Sequence, residues 1–363
     1  MAPVIRALSA AADFEPIVIS TGQHREMLQQ VIELFDIQKD DELDVMRPNQ
    51  GLAGLTARLI VACDEALERH APDIALVQGD TTSVMAASLA AFYRGIPIGH
   101  VEAGLRTGNL RAPFPEEANR VLAGRVVTLH FPPTKFGEDN LLAEGVDPAT
   151  VLVTGNTVID ALHLEVARQR QSAVQQALDA DLGAEVGEDW RTRPMVLVTG
   201  HRRENFGQGF EDICAALTEL AGRFPTHRFL YPVHLNPNVQ APVNARLGGV
   251  DNVQLIAPQP YSQFVALMAA CRVVLTDSGG VQEEAPGLGK PVLVMRETTE
   301  RPEGVDAGTV RLVGTDRRGI IESVSELLTD EAAYAAMAKA TNPYGDGKAA
   351  ARIVERLRAH FAP

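Results

Sequence analysis

Short apolar runs alternate with amphipathic stretches along nearly the whole chain. The runs predict strands at Pro16–Ser20, Ile74–Gln78, Ile96–Val101, Val126–His130 and Val151–Thr154 in the first half. In the second half they predict strands at Met195–Thr199, Arg228–Pro232, Val253–Ile256, Val273–Thr276 and Val292–Met295. Helix-period patterns fall between them, at Gln23–Phe35, Gln50–His70, Thr82–Tyr93, Phe210–Arg223, Pro260–Ala269 and Arg317–Leu328. Strand and helix in alternation signal parallel sheets with crossover helices. The first ten residues read as an amphipathic helix placed directly ahead of the first strand. Residues 165–193, rich in Ala, Gln, Arg and Glu, read as a helix followed by a polar linker. The expected architecture is two similar α/β domains, 1–165 and 166–344, facing each other across a cleft.

Length agrees with that division, because 363 residues exceed what one hydrophobic core usually serves. Hydrophobic residues at 45% and charged residues at 22% describe an ordinary globular protein. The net charge of -14 opposes general binding to a nucleic-acid backbone or to anionic lipid. No apolar run approaches the roughly 20 residues of a membrane span, and no basic start precedes an apolar stretch as in a signal peptide. Cys63, Cys214 and Cys271 lie far apart without metal-ligand spacing, which suits buried thiols in a reducing compartment. A cytoplasmic protein is expected, with no metal, no nucleic-acid partner and no membrane partner.

In open α/β sheets, ligands bind beyond the carboxyl ends of the strands, so the polar motifs just after the predicted strands are the candidates. After Val273–Thr276 comes Ser278-Gly279-Gly280, at the turn into a helix expected to begin near Val281. Two glycines let a backbone approach a ligand closely, and first-turn N–H groups point at it, an arrangement suited to a diphosphate. Glu284, expected on the first turn, would repel phosphate and instead suits the two hydroxyls of a ribose. The plainer alternative is a Gly-rich turn with a solvated helix start.

After Met195–Thr199 comes Gly200-His201-Arg202-Arg203-Glu204-Asn205. This cationic cluster suits negative charge on a leaving diphosphate, and His201 can donate a proton or hydrogen bond there. The alternative pairs one arginine with Glu204 and leaves the other in solvent. A third constellation is acidic: Asp80 after Ile74–Gln78, Glu102 after Ile96–Val101, and Glu116-Glu117 behind Pro115. Acidic loops at successive strand ends can converge. Asp80 also resembles a helix N-cap, and Glu116-Glu117 a favourable acidic first turn. His234 and Gln23-His24-Arg25-Glu26 follow strands and can reach a ligand. Phe264 fits a core position more readily than a stacking platform.

Together these segments resemble the non-hydrolysing UDP-N-acetylglucosamine 2-epimerases over essentially the whole chain. The resemblance runs in order through Gln78-Gly79-Asp80-Thr81-Thr82, Gly99-His100-Val101-Glu102-Ala103-Gly104-Leu105-Arg106, Pro115-Glu116-Glu117-Ala118-Asn119-Arg120 and Thr154-Gly155-Asn156-Thr157. It continues through His201–Asn205, Pro232–Pro237, Thr298–Glu303 and Asn342–Gly347. It implies a glycosyltransferase-B-type fold, with the C-terminal helix, residues 345–363, crossing back onto the first domain. It implies interconversion of UDP-GlcNAc and UDP-ManNAc by a homodimer, with no NAD, and the chain holds no G-x-G-x-x-G fingerprint. The route is elimination of UDP to a glycal and re-addition. By resemblance Asp80, Glu102 and Glu116 do acid, base and positioning work, and His201 assists at the diphosphate. Gln259, Phe264, Ser278, Gly279, Gly280, Glu284 and Arg301 would hold UDP. A second UDP-GlcNAc, bound as an activator, would meet Gln23, Glu116, Arg202 and His234.

The chain departs from the family at three places. Glu26 and Asn49 stand where several bacterial members offer Gln and Arg. Members also open with a strand and a G-T-R-P-E-A-I-K loop directly ahead of the position of Met1, and that loop's Arg and Lys have no counterpart here. Part of the diphosphate charge is therefore expected to go uncompensated. Two other functions are consistent with the motifs: a UDP-sugar-dependent glycosyltransferase of the same fold, and a catalytically impaired UDP-sugar binding protein.

Overall fold

The Val- and Leu-rich runs between helices become strands that pair only in parallel. The computed structural model describes residues 1–22, 25–47 and 50–362, with the side chains of 25–28 excepted. The chain separates into two units, Met1–Ala161 with Gly345–Pro363, and Leu162–Tyr344. Unit 1 opens with α1 (Ala2–Ser9), β1 (Ile19–Ser20), α2 (Arg25–Leu34), β2 (Asp41–Glu42) and α3 (Leu52–His70). It continues with β3 (Ala75–Gln78), α4 (Thr82–Tyr93), β4 (Ile98–Val101), α5 (Glu116–Gly124), β5 (Leu129–Phe131) and α6 (Lys135–Ala143). The boundary falls inside α7 (Thr157–Gln169).

Unit 2 carries α8 (Ser172–Val186), β6 (Met195–Thr199), α9 (Gln208–Arg223), β7 (Arg228–Pro232), α10 (Pro237–Leu247), β8 (Val253–Ile256) and α11 (Tyr261–Ala270). Then follow β9 (Val273–Thr276), α12 (Gly279–Gly287), β10 (Val292–Val294), α13 (Pro302–Asp306), β11 (Val310–Leu312), α14 (Arg317–Thr329) and α15 (Glu331–Ala338). The last helix, α16 (Ala349–Phe361), belongs to unit 1. Its apolar face, Ala350, Ile353, Val354 and Leu357, joins Val4, Leu8, Val101, Leu129 and Phe131 in one cluster. The buried Asp160 carboxylate accepts the N–H groups of Ala349 and Ala350 at 3.2 and 2.9 Å, filling the capping role at its N-terminus.

The six-stranded sheet of unit 2 runs β11-β10-β9-β6-β7-β8. Strand order reverses between β6 and β9, so their carboxyl ends flank a topological switch point, where open sheets place ligands. Unit 1 has a three-stranded sheet in the order β3-β4-β5 and a separate pair, β1 with β2.

Several boundaries differ from the sequence pattern. The helix and polar linker expected over 165–193 are the end of α7 and then α8, whose narrow stripe of Leu178, Leu182 and Val186 packs with Trp190 into the unit 2 core. Pro16–Ser20 is reduced to Ile19–Ser20, and Val151–Thr154 to a single bridge between His130 and Val151. The strand expected at Val126–His130 begins at Leu129, because the Thr128 side chain accepts the Ile98 N–H at 3.1 Å. β2 and β11 are additional strands: a polar dipeptide and a short edge run leave too little pattern to read.

Candidate functional site

In unit 1, the strand β3 ends in Gly79, whose φ of 80° turns the chain so that Asp80 stands beyond the sheet edge. The buried imidazole of His100 bonds the Gly79 carbonyl at 2.7 Å and fixes that turn from β4. Thr81, not Asp80, caps α4: its hydroxyl accepts the Val84 N–H at 3.4 Å. The N-cap reading of Asp80 is therefore replaced, and its carboxylate is left for other work. Arg120 donates to that carboxylate at 2.9 Å, and Asn119 donates to the Asp80 carbonyl at 3.0 Å.

Glu117 explains why Arg120 stays in place. The Glu117 carboxylate is buried and accepts the N–H groups of Thr107 and Gly108 at 3.0 Å and Arg120 Nε at 2.7 Å. It anchors both the loop after β4 and the guanidinium, which is more than the favourable first-turn charge expected for it. Glu116, next to it, is half-buried. Glu102 sits at the end of β4 with φ 63°, a conformation that costs a non-glycine residue roughly 1–3 kcal/mol and clusters at functional sites. Gln78 donates to Glu102 at 3.2 Å, and Asn156 at 3.5 Å. Burial raises the Asp80 pKa, the Arg120 charge opposes that rise, and the charges of Glu102 and Glu116 reinforce it. The structure thus brings Asp80, Glu102 and Glu116 within electrostatic reach of one another.

In unit 2, the loops after β6 and β9 meet over the switch point. Thr199 and Thr276 share a hydrogen bond of 2.5 Å between their hydroxyls, and Thr276 also accepts the Ser278 N–H at 2.9 Å. Between them Asp277, fully buried, accepts the backbone N–H of His201 at 2.9 Å and of Arg202 at 2.8 Å. Asn205 donates to the same carboxylate at 3.2 Å. His201 lies with Nδ1 3.3 Å from Asp277 and its ring stacked on His234, centroids 5.4 Å apart. Burial lowers the His201 pKa, Asp277 raises it, and Arg202 and His234 lower it. Glu204 pairs with Arg296 at 2.6 Å rather than with an arginine of its own motif, while Arg203 is exposed.

The candidate phosphate cradle is the turn from β9 into α12. α12 starts at Gly279 with Ser278 at the N-cap, and the Ser278 hydroxyl takes no backbone N–H, so the first-turn donors stay open. The Arg301 guanidinium lies across Gly279: a Cβ there would come within 2.6 Å of Arg301 Nη1. Arg301 is held by Glu283 and, at 3.3 Å, by Glu300. Glu284 lies on the second turn of α12 rather than the first. It is buried, accepts the Tyr261 hydroxyl at 2.8 Å, and burial pushes its pKa to about 7. Phe264 is half-buried against the core on α11, one turn past Tyr261. The Gln259 amide donates to Glu185 at 3.0 Å and to the Ala257 carbonyl at 2.9 Å.

Gln23, His24 and Asn49 lie outside the described residues. Arg202 Nη2 comes within 3.6 Å of Glu300. Asp277, Arg120 and Tyr261 escape sequence reasoning, because each matters through a partner distant in sequence. The signal for Arg120 was present in Glu117 three residues earlier, one helical turn away.

The family described as UDP-N-acetylglucosamine 2-epimerase matches residues 6–358. The UDP-N-acetylglucosamine 2-epimerase of Escherichia coli K12 is 55% identical over 358 residues, 99% of this chain and 94% of that protein. The protein of the same name from Yersinia pestis is 54% identical over 364 residues, 99% of this chain and 95% of that protein. The crystal structure of UDP-GlcNAc 2-epimerase from Neisseria meningitidis, bound to UDP-GlcNAc, is 48% identical. It superposes with a TM-score of 0.91 over 99% of this chain and 96% of that one. The two α/β units with parallel sheets are accordingly the glycosyltransferase-B-type fold expected from the sequence.

Proposed function

The chain belongs to the UDP-N-acetylglucosamine 2-epimerase family, and on that premise we propose that it interconverts UDP-GlcNAc and UDP-ManNAc without hydrolysis. The reaction eliminates UDP to a 2-acetamidoglucal and adds it back. The observation that carries the chemistry is the acidic cluster of unit 1, with Asp80 held by one buried guanidinium and its pKa raised.

The C2 hydrogen of the sugar has no neighbouring carbonyl, so its direct removal is very difficult. When the C1–O bond breaks, its electron pair leaves with UDP and positive charge develops beside C2. The C2–H bonding pair then forms the C1–C2 double bond, and the proton passes to a carboxylate. Return reverses these steps, with the proton delivered to the opposite face of C2. Two faces require more than one acid/base group, and Asp80, Glu102 and Glu116 supply them. A raised carboxyl pKa suits proton transfer in both directions.

His201 and the open N–H groups of α12 take up charge on the leaving diphosphate. Arg301 adds a guanidinium at Gly279. Glu284 accepts the ribose hydroxyls, and Gln259 and Phe264 meet the uracil. The same reading includes a cytoplasmic homodimer without NAD. It also includes a second UDP-GlcNAc acting as activator against Arg202 and His234, the latter stacked on His201.

Incubation with UDP-GlcNAc alone in deuterium oxide tests the proposal. Deuterium should enter at C2 and UDP-ManNAc should form, with no free sugar. Free ManNAc with UDP would mark a hydrolysing enzyme. UDP binding without exchange would mark a glycosyltransferase or a binding protein.

A further inference from the structure

We propose that Asp277 is the positioning residue for His201, fixing its ring with Nδ1 protonated toward the carboxylate so that Nε2 alone faces the diphosphate. The inference rests on the role given to His201 above. It deepens that role by assigning which ring nitrogen works and what sets it.

Asp277 is fully buried on the loop leaving β9, one residue ahead of the phosphate cradle. A buried carboxylate needs hydrogen-bond donors for its charge. Among the described residues, its donors all come from the loop that carries His201: the N–H of His201 at 3.1 and 2.9 Å, the N–H of Arg202 at 2.8 Å and the Asn205 amide at 3.2 Å. Asn205 is tied down in turn, since it also donates to the Met295 carbonyl at 3.2 Å. The loop therefore folds around one carboxylate. His201 Nδ1 comes within 3.3 Å of that carboxylate.

An ionised carboxylate only accepts hydrogen bonds, so the ring nitrogen facing it must carry the hydrogen. Nδ1 is then occupied in both protonation states, and Nε2 alone changes. Neutral His201 presents an acceptor at Nε2, and protonated His201 presents a donor. As the C1–O bond breaks, its electron pair goes to the diphosphate oxygen, and the Nε2 proton moves to or bridges toward that oxygen. The ring left behind is the neutral form that Asp277 selects. On re-addition the proton returns to Nε2.

The charged and titratable groups facing the ring are Asp277 from the β9–α12 loop, Arg202 from its own loop and His234 from the loop after β7. Beneath the loop, the Tyr231 hydroxyl donates to the Gly200 carbonyl at 3.1 Å. Asp277 is the anion among them, and it raises a pKa that burial, Arg202 and His234 lower. Asp277→Asn keeps an oxygen for the loop N–H groups but removes the charge. It should lower kcat about 10- to 100-fold, as loss of an orienting partner does, with KM nearly unchanged. The alkaline limb of the rate profile should move down by about 1–2 pH units. A purely structural role would lower the rate at every pH without moving the limb. In a His201→Gln background the Asp277→Asn effect should vanish, because the two residues act as a unit; effects that multiply would overturn the proposal.

The direct test is a titration of the full-length protein carrying ¹⁵N-labelled histidine, with His201 assigned by its loss in His201→Gln. The neutral ring should show hydrogen on Nδ1, and Asp277→Asn should lower its pKa. A neutral ring with hydrogen on Nε2, or a wild-type pKa in the variant, would overturn the proposal. If Asp277→Asn fails to fold, the tautomer of the wild-type ring still decides. An enzyme with the expected tautomer but no C2 exchange would refute the epimerase reading and leave the positioning of His201 standing.

Discussion

Asp80 and Asp277 each stand just beyond a parallel strand, one in each unit, and their surroundings differ in kind. Among the described residues, Asp80 has a single guanidinium partner and two carboxylates nearby, and its side chain keeps 31% of its exposure. Asp277 is fully buried and satisfied by backbone N–H groups and an amide. Protonating Asp80 relieves repulsion from Glu102 and Glu116. Protonating Asp277 would give up acceptor capacity that a whole loop depends on. A carboxylate's partners thus separate a candidate proton carrier from a scaffold. Crowded anions and a lone cation leave a proton movable, whereas a shell of neutral donors fixes a charge.

The largest effect should come from removing the proposed proton carriers. Asp80→Asn or Glu102→Gln should slow deuterium entry at C2 by about 10²–10⁴, the range for acid–base groups, while UDP affinity measured by calorimetry stays nearly constant. Near-normal exchange in either variant would break the assignment of that residue.

Arg120→Gln sharpens the contrast by removing the one cation. Glu117 is left buried without its ion pair, a loss of about 3–5 kcal/mol, readable by chemical denaturation. The Asp80 pKa should rise further, because the guanidinium is what opposes burial and its acidic neighbours. A base that must be ionised then needs higher pH, so the acid limb of the rate profile should move upward.

Glu284 is a third case, a buried carboxyl whose one named donor is the Tyr261 hydroxyl. Its pKa of about 7 in the free protein lies above the usual carboxyl range. Ribose hydroxyls favour the ionised form, so binding lowers that pKa. UDP affinity should therefore increase as pH rises toward and through 7, by up to about tenfold per unit below it. Glu284→Gln should bind more weakly at pH 8 and lose this dependence.

The smallest expected effect separates capping from catalysis. Thr81→Ala should cost about 1 kcal/mol of stability and leave C2 exchange largely intact. A comparable stability loss with intact exchange in Asp80→Asn would reverse the two assignments.

Sequence pattern revealed the parallel strands of the unit 2 sheet, except the edge strand β11, because a doubly covered strand is apolar throughout. It marked the turn into α12 as a candidate because Ser278-Gly279-Gly280 is a local signal. It blurred α8 into a helix and polar linker because a single-file stripe of Val174, Leu178, Leu182 and Val186 stands among Ala, Gln, Asp and Glu. It placed Asp80, Glu102 and Glu116 at strand ends but could not show the Glu102 φ of 63°, which tertiary packing imposes. The pairing of Arg120 with Asp80 and of Asp277 with the His201 loop could not be read from the sequence, for a shared reason. The partners lie 40 and 76 residues away, and only the folded sheet brings them together.

In the proposed route UDP leaves C1 before C2 changes hand. The most direct measurement uses UDP-GlcNAc with ¹⁸O in the oxygen bridging C1 and the β-phosphate, followed by ³¹P NMR during turnover. The account predicts that the label migrates into the non-bridging β-phosphate positions as UDP-ManNAc forms. Epimerisation with the label still wholly in the bridge would contradict it.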